Sequence, residues 1–528
     1  MSFPNRRHPV LLWLASVVLL NLLAAGAQAQ KVEPIVHVLD NGMKLLLVPR
    51  KGDPNVAAGW VAKVGSVNER PGVTGVAHLF EHMMFKGTHI IGTKDIDKDL
   101  EIIKQLDALK AQIREEDQAL IEKHRRGLID DPKNPEARGE KHNELLKQFG
   151  ALLAQQRELI VKDEFDRIYT LNGASGLNAF TSNDLTVYMI NVPANKLELW
   201  FWMESDRLSN PVFREFYSER DVVHEERRLR VDSTPTGKLD EQFETLFWQS
   251  SPYQWPVIGW PSDLEGMTRE EALEFFNIYY APNNLTVSLV GDFDPKQAIE
   301  WAEKYLGRIK RGETKPQPVR TSEIAQQAET RMTGYADTRP TVKARYHTVA
   351  DAHREEPALL VLASLMNGTT GRLYKSLVLE QKVATAAGAG VNGLKYDGFF
   401  ELSGVAAEGH TPEEVEQALY KEMEVLQEQL VGDRELQKVK NQQLADDFRR
   451  LRSKDSLMIQ LLIYEALGSW ENINKFSDRI QAVTPEDVRA VAQKYFKPEN
   501  RNVAVYYTKE GAGGQQPPGP PAGPGGQQ

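Results

Sequence analysis

His78-Leu79-Phe80-Glu81-His82, with its flanks from Thr74 to Gly87, decides how this chain is to be read. On a helix, positions i, i+3 and i+4 share one face, so both imidazoles and the carboxylate project into the same space. Two neutral histidines one turn apart can grip a single Zn²⁺ at about 2.0–2.1 Å each, with the carboxylate beside an open coordination position. A carboxylate placed there can take a proton from water. The chain has 11 histidines, so a chance match to three fixed positions has to be weighed. The flanks argue against chance. Thr74 can cap a helix running through Ala77, His78, Phe80, Glu81, Met84 and Phe85, and Gly87 can end it.

Composition narrows the chemistry. There is no cysteine in 528 residues, which excludes disulfides, thiolate ligands and a Cys nucleophile. Any metal is then held by His and carboxylate, and the pattern points to metal-assisted hydrolysis of a peptide bond with Glu81 as general base. Arg6, Arg7 and His8 precede an apolar run from Leu11 to Ala25, and Ala27-Gln28-Ala29 offers a cleavage site before Gln30. That is the pattern of a secretory signal, and the run, interrupted by Asn21, is short for a membrane anchor. The expected location is the periplasm of a Gram-negative bacterium, with no stable membrane span after processing. A net charge of −10, spread along the chain, points to solubility and away from nucleic acid. With 41% hydrophobic residues, two substantial cores are within reach.

The second informative pattern is a repeat. Thr268-Arg269-Glu270-Glu271-Ala272-Leu273 matches Thr484-Pro485-Glu486-Asp487-Val488-Arg489, each a Thr N-cap with an acid at N3. At the same offset Tyr279-Tyr280-Ala281-Pro282-Asn283-Asn284 matches Tyr495-Phe496-Lys497-Pro498-Glu499-Asn500, and a strand-like run follows each. An ungapped register of this length indicates duplication. The expected fold is α+β: two duplicated domains, each a largely antiparallel sheet with helices packed on one face. The expected division is a signal at 1–29, a zinc-binding domain at 30–310, a linker at 311–327, a homologous domain at 328–510 and a Gly/Pro/Gln tail at 511–528. Residues 95–166 interrupt the first domain with dense charge and Leu/Ile at helical spacing, broken at Asp130-Asp131-Pro132. They read as an inserted hairpin of two long helices, either a solvated spacer or a gate or partner-binding element.

Two histidines leave zinc one protein ligand short, and a carboxylate is the natural choice. Glu219-Arg220-Asp221-Val222-Val223-His224-Glu225-Glu226 has helical composition, with Glu219 and Glu226 two turns apart on one face. Spacing alone leaves Glu219, Glu225 and Glu226 open.

The run Gly75-Val76-Ala77-His78-Leu79-Phe80-Glu81-His82-Met83-Met84-Phe85-Lys86-Gly87-Thr88 resembles the zinc motif of the pitrilysin/insulinase family, the inverzincins with H-x-x-E-H. Within it the run most resembles bacterial relatives of the zinc-bearing subunit of the mitochondrial processing peptidase. Glu219-Arg220-Asp221-Val222-Val223 with Glu226 resembles the family's second motif, which implies that Glu226 binds zinc and Glu219 supports the site from behind. Leu177-Asn178-Ala179-Phe180-Thr181, with Asp184, Thr186 and Tyr188 after it, is similar to an edge strand that pairs with bound peptide, which makes Asn178 and Ala179 expected substrate contacts.

Two departures stand out. The hairpin lengthens the path from His82 to Glu226. The arginine and tyrosine with which the family grips the scissile carbonyl would fall at Leu377 and Ala384, and neither can do that work. Arg372 and Tyr374 lie nearby, but the expectation is that a homologous second subunit supplies the pair. The resemblance thus implies a zinc endopeptidase, one Zn²⁺ per chain, acting on peptides or unfolded segments as half of a two-chain clamshell. A self-sufficient homodimeric peptidase and a non-catalytic assembly or chaperone subunit are the alternatives, and the intact motif speaks against the latter.

Overall fold

The computed structural model describes residues 31–509; the expected signal and the Gly/Pro/Gln tail lie outside the described residues. Strands β1 (Ile35–Val38), β2 (Lys44–Pro49) and β3 (Asn55–Ala62) lead into helix α1 (Val76–Met83), which carries His78, Glu81 and His82. The hairpin follows as α2 (Ile96–Arg125) and α3 (Glu140–Leu159), then α4 (Glu164–Leu171), β4 (Ser175–Thr181), β5 (Thr186–Pro193) and α5 (Leu197–Ser209). Helices α6 (Phe216–Arg227), α7 (Gly237–Phe247) and α8 (Arg269–Tyr279) precede β6 (Leu285–Gly291). The sheet runs β1-β2-β6-β3-β5-β4, with β2 and β6 parallel and every other pair antiparallel.

Residues 310–329 carry no helix or strand. Beyond them come β7 (Thr330–Ala336), β8 (Thr341–Thr348), α9 (Glu356–Met366), β9 (Ala384–Gly393) and β10 (Gly398–Ala406). Then follow α10 (Pro412–Glu428), α11 (Asp433–Arg452), α12 (Lys454–Leu467), α13 (Pro485–Tyr495) and β11 (Arg501–Thr508). The second sheet runs β7-β11-β8-β10-β9, again with one parallel pair, β7 with β11.

From β2 onward the second order repeats the first strand for strand. The repeat extends to single bonds. Thr268 with Glu271 and Thr484 with Asp487 form reciprocal capping boxes at the starts of α8 and α13. Past each helix an asparagine amide closes the turn, Asn284 on Tyr279 O and Asn500 on Tyr495 O, both at 2.8 Å. Duplication is therefore written in the bonds from side chain to backbone as well as in the sequence.

The repeat also isolates the insertion. The second half passes from α9 to the π-helical turn Tyr374–Glu380 in a short step, where the first half runs through α2 and α3 before reaching α4. The hairpin is no free spacer. Tyr217 on α6 donates to Asp107 on α2 (2.9 Å), Arg269 pairs with the same carboxylate (2.9 Å), and Lys133 at the tip reaches Glu265 (2.5 Å). At its base Asp99 and Arg214 form an ion pair in which both side chains are 0% exposed, and Gln156 of α3 donates to the other Asp99 oxygen. Arg214 spends its remaining donors on the carbonyls of Lys86, Thr88 and Ile91, the loop that leaves α1. Removing either partner of such a pair leaves a buried charge and costs about 3–5 kcal/mol.

One expectation is corrected here. Helices cover both faces of the first sheet. On one side α1, α5 and α8 pack through Leu79, Phe80, Trp200, Phe201 and Phe276. The other face receives α12 from the second half: Leu457, Met458, Leu461 and Leu462 lie on Leu46, Ala57, Val61, Val187 and Val290. The reason is in β3, whose buried Val56-Ala57-Ala58-Gly59-Trp60-Val61-Ala62 is the continuous apolar run of a strand covered on two sides; β6 is buried throughout as well, with Thr286 and Ser288 among its apolar residues. In return α7 of the first half lies on the second sheet, with Phe243 against Met332, Ala504 and Tyr506. No described helix is long and apolar enough to cross a membrane.

Candidate metal centre

Helix α1 is short, and its two ends are held by different devices. Thr74 is not the cap that the sequence suggested: its hydroxyl donates to Asp263 (2.8 Å) and accepts from Trp260 N (3.0 Å). Gly75 takes the N-cap place at φ 88°, where a Cβ would come within 2.6 Å of Ile258 O. The free N–H groups of the first turn go to the buried carboxylate of Glu69, which accepts from Gly75 and Ala77 at 2.8 Å each. At the other end Tyr188, stacked on Trp60 at 4.1 Å, donates to Phe80 O. The backbone of α1 is thus fixed at both ends before any ligand chemistry begins.

Helix α6 crosses behind α1 and delivers two glutamates. Glu219 Oε1 meets His82 Nδ1 at 3.0 Å, and its other oxygen pairs with Lys86 Nζ at 2.5 Å. That contact places the Nδ1 proton on His82 and turns Nε2 forward. Glu226 Oε2 then sits 3.4 Å from His82 Nε2 and 3.7 Å from His78 Nε2. Glu225 points away to Arg228 and is mostly exposed, which separates the two neighbouring acids. Glu81 accepts a hydrogen bond from Thr181 Oγ1 at 2.7 Å, so the end of β4 touches the carboxylate of α1.

Among the described residues His78, His82 and Glu226 are the one group of three whose ligand atoms all lie within 4.8 Å of one another. A tetrahedral ion with bonds of about 2.1 Å sets its ligand atoms about 3.4 Å apart. The two imidazole–carboxylate separations sit at or just above that edge length, and 3.7 Å is too long for a hydrogen bond. Glu226 Oε2 is buried without any hydrogen-bond donor, a costly state for a carboxylate oxygen with no cation beside it. The three side chains fit a divalent ion of the zinc type.

The electrostatics agree. Burial, then the neighbouring His82 and Arg230, pushes His78 down to about 3, which keeps it a neutral donor of a lone pair. Burial raises the Glu81 carboxyl above its ordinary range, against the pull of Thr181 and His82. For Glu219 burial works upward, but hydrogen bonds from His82 and Lys86 outweigh it and hold the group low and ionised.

The other expected site residues fall as follows. Asn178 is exposed and Ala179 nearly buried on β4, the outer strand of its sheet, and Asn178 Oδ1 accepts from Ala179 N at 2.9 Å. Leu377 and Ala384 are buried core residues. Arg372 is engaged with Glu435 through two contacts of 3.0 and 2.7 Å. Three contacts had gone unnoticed in the sequence: Thr181 on Glu81, Lys86 on Glu219, and Arg230, whose guanidinium reaches Glu226 Oε1 at 2.8 Å. Only Arg230 had a usable signal, its i+4 spacing from Glu226.

A duplicated α+β architecture with a His-His-Glu cluster on the first half defines a class of metallopeptidase-like folds, and the comparisons agree. Residues 45–120 match the family described as Insulinase (Peptidase family M16), and residues 266–443 match the module described as Peptidase M16 inactive domain. The chain belongs to peptidase family M16. It is 27% identical over 500 residues to the zinc protease PqqE of Helicobacter pylori, covering 92% of this chain and 96% of that protein. It is also 24% identical over 303 residues to the probable zinc protease PqqL of Escherichia coli, covering 56% of this chain and 25% of that one. Among solved structures, a protease from Helicobacter pylori superposes with a TM-score of 0.72 at 23% identity, covering 90% of this chain and 99% of that one. The periplasmic protease PqqL from Escherichia coli superposes at 0.67 and 18% identity, covering 92% of this chain but 49% of that one.

Proposed function

We propose that this protein is an exported zinc-dependent endopeptidase and the metal-bearing chain of a two-chain enzyme. The observation that carries the reading is the spacing of His78, His82 and Glu226, at tetrahedral edge lengths with Glu81 beside them. Zn²⁺ bound there supplies a Lewis acid that lowers the pKa of water to about 7 and polarises a carbonyl. Glu81 takes the proton from the attacking water and hands it to the leaving amine; Thr181 holds one of its oxygens and leaves the other free to do so. Glu219 fixes the tautomer of His82 and Lys86 keeps Glu219 ionised.

The substrate is a peptide or unfolded segment that adds as a strand to the outer edge of β4, beside Asn178 and Ala179. The end of that strand is joined to Glu81 through Thr181, so a peptide paired with β4 is guided toward the general base. A second subunit of similar fold supplies the arginine and tyrosine that grip the carbonyl. Two facts support it. Leu377 and Ala384 are apolar and buried. This chain also spans 49% of the solved PqqL, a periplasmic protease that carries about as much protein again in one chain. The halves proposed here are 30–310 and 328–510, joined by 311–327, with export to the periplasm after removal of 1–29.

Hydrolysis of a mixed pool of unstructured peptides by the zinc-loaded chain, against Glu81→Gln, tests the reading. Loss of a general base removes ~10²–10⁴-fold of rate while zinc content stays at one per chain. Full activity in Glu81→Gln would take Glu81 out of the mechanism. A folded, zinc-containing parent that is silent alone and active with its partner subunit supports the two-chain model, and a parent fully active alone overturns it.

A further inference from the structure

The helix that delivers Glu226 does not stop at it. Past Arg227 the chain widens into a π-turn, Arg228–Asp232, closed by Ser233 N on Arg228 O at 2.8 Å. Wider turns of this kind often mark functional positions. Here the turn is pinned from below. Thr234 Oγ1 donates to Arg230 O and Val231 O at 3.2 and 3.0 Å, and a Cβ on Gly237 would come within 2.2 Å of Val231 O. The backbone of Arg230 is thus held tightly, although its side chain is 71% exposed.

That guanidinium lies 2.8 Å from Glu226 Oε1, the oxygen turned away from the histidines, while Oε2 faces both imidazoles with no donor of its own. Among the described residues no other side chain is hydrogen-bonded or ion-paired to Oε1. We infer that Arg230 is a positioning residue for the metal: it occupies Oε1 so that Glu226 offers Oε2 alone, as a one-oxygen ligand. This rests on the zinc reading above. Without Arg230 the carboxylate is free to turn and offer both oxygens, which fills the coordination place that a peptide hydrolase keeps open. An exposed ion pair contributes little to folding, so the effect belongs to the metal and not to stability.

The test uses the full chain with Arg230→Gln, Arg230→Lys and Glu226→Ala, read by competition for zinc against a chromophoric chelator and by the visible spectrum of the Co²⁺-loaded protein. Arg230→Gln is expected to weaken zinc ~10–100-fold and to lower the Co²⁺ absorption as coordination rises above four. Arg230→Lys, which keeps a cation, recovers most of both, and the melting temperature of the metal-free protein is the same in all three. Parent-like affinity and spectrum in Arg230→Gln would overturn the inference while leaving the zinc site intact. A parent chain that binds no zinc, or Glu226→Ala that binds it normally, would overturn the underlying reading instead.

Discussion

Helices α7 and α12 occupy the same place in the duplicated plan, and each crosses to cover the sheet of the other half. They are fastened with different emphasis, although α12 too carries ion pairs to the other half, Glu465 with Lys44 and Lys63, and Lys454 with Asp53. Helix α12 settles on the first sheet with Leu457, Met458, Leu461 and Leu462, all at 2% exposure or less. Helix α7 puts down Phe243 and Phe247, but much of its contact is ionic: Asp240 with Lys343 and Tyr506, and Glu244 with Arg345, which also holds Glu401. The apolar seam is non-directional and roughly additive in area, each fully buried side chain contributing ~1.5–3 kcal/mol. The charged seam is directional and sets register. It also lies one step from the candidate metal centre, because Glu241 of α7 grips Arg227, the residue after Glu226, with two bonds of 2.6 Å. The difference teaches a division of labour. One crossing helix holds the halves together, and the other orients the turn that follows the third candidate ligand.

The largest effect is expected from Leu461→Ala, which opens a cavity between α12 and the first sheet. It should cost about 2–5 kcal/mol, read as a lower denaturant midpoint and unchanged between low and high salt. A loss under ~1 kcal/mol would mean that α12 is not what holds the first sheet. Next comes Arg345→Met, which strips Glu244 and Glu401 of their shared partner; unsatisfied, half-buried acids cost about 1–3 kcal/mol. Smallest is Lys343→Met. Its pair with Asp240 is partly exposed, so the loss should stay within ~1 kcal/mol and shrink in 1 M NaCl, where the screening length falls from about 10 to about 3 Å. A salt-independent deficit in Lys343→Met would erase the contrast between the two seams.

Much of this was legible in the sequence. H-x-x-E-H stood on one helix face because three positions four residues apart or less can be placed by helical period alone. The repeat was readable because both copies keep the same cap and the same turn asparagine, and the hairpin because its Leu and Ile recur at helical spacing. What escaped needed the third dimension. No local pattern links Glu69 to the start of α1 or Thr181 to Glu81, since those contacts join separate elements. The Thr74 cap was misjudged because Trp260 and Asp263, far along the chain, compete for its hydroxyl. The second covered face of the first sheet did leave a trace in Val56-Ala57-Ala58-Gly59-Trp60-Val61-Ala62, a run too apolar for a sheet with one wet face. Its partner on α12 lies about 400 residues downstream, beyond the reach of any periodicity argument.

The exchanged helices make each half an unfinished object on its own. Severed anywhere between Ile309 and Thr330, the two fragments remain clasped, since α7 stays lodged in one and α12 in the other. A lone copy of either half would bare the surface that its missing helix covers, and a second identical copy would be the nearest match for it. In that sense the chain is a homodimer made permanent by fusion.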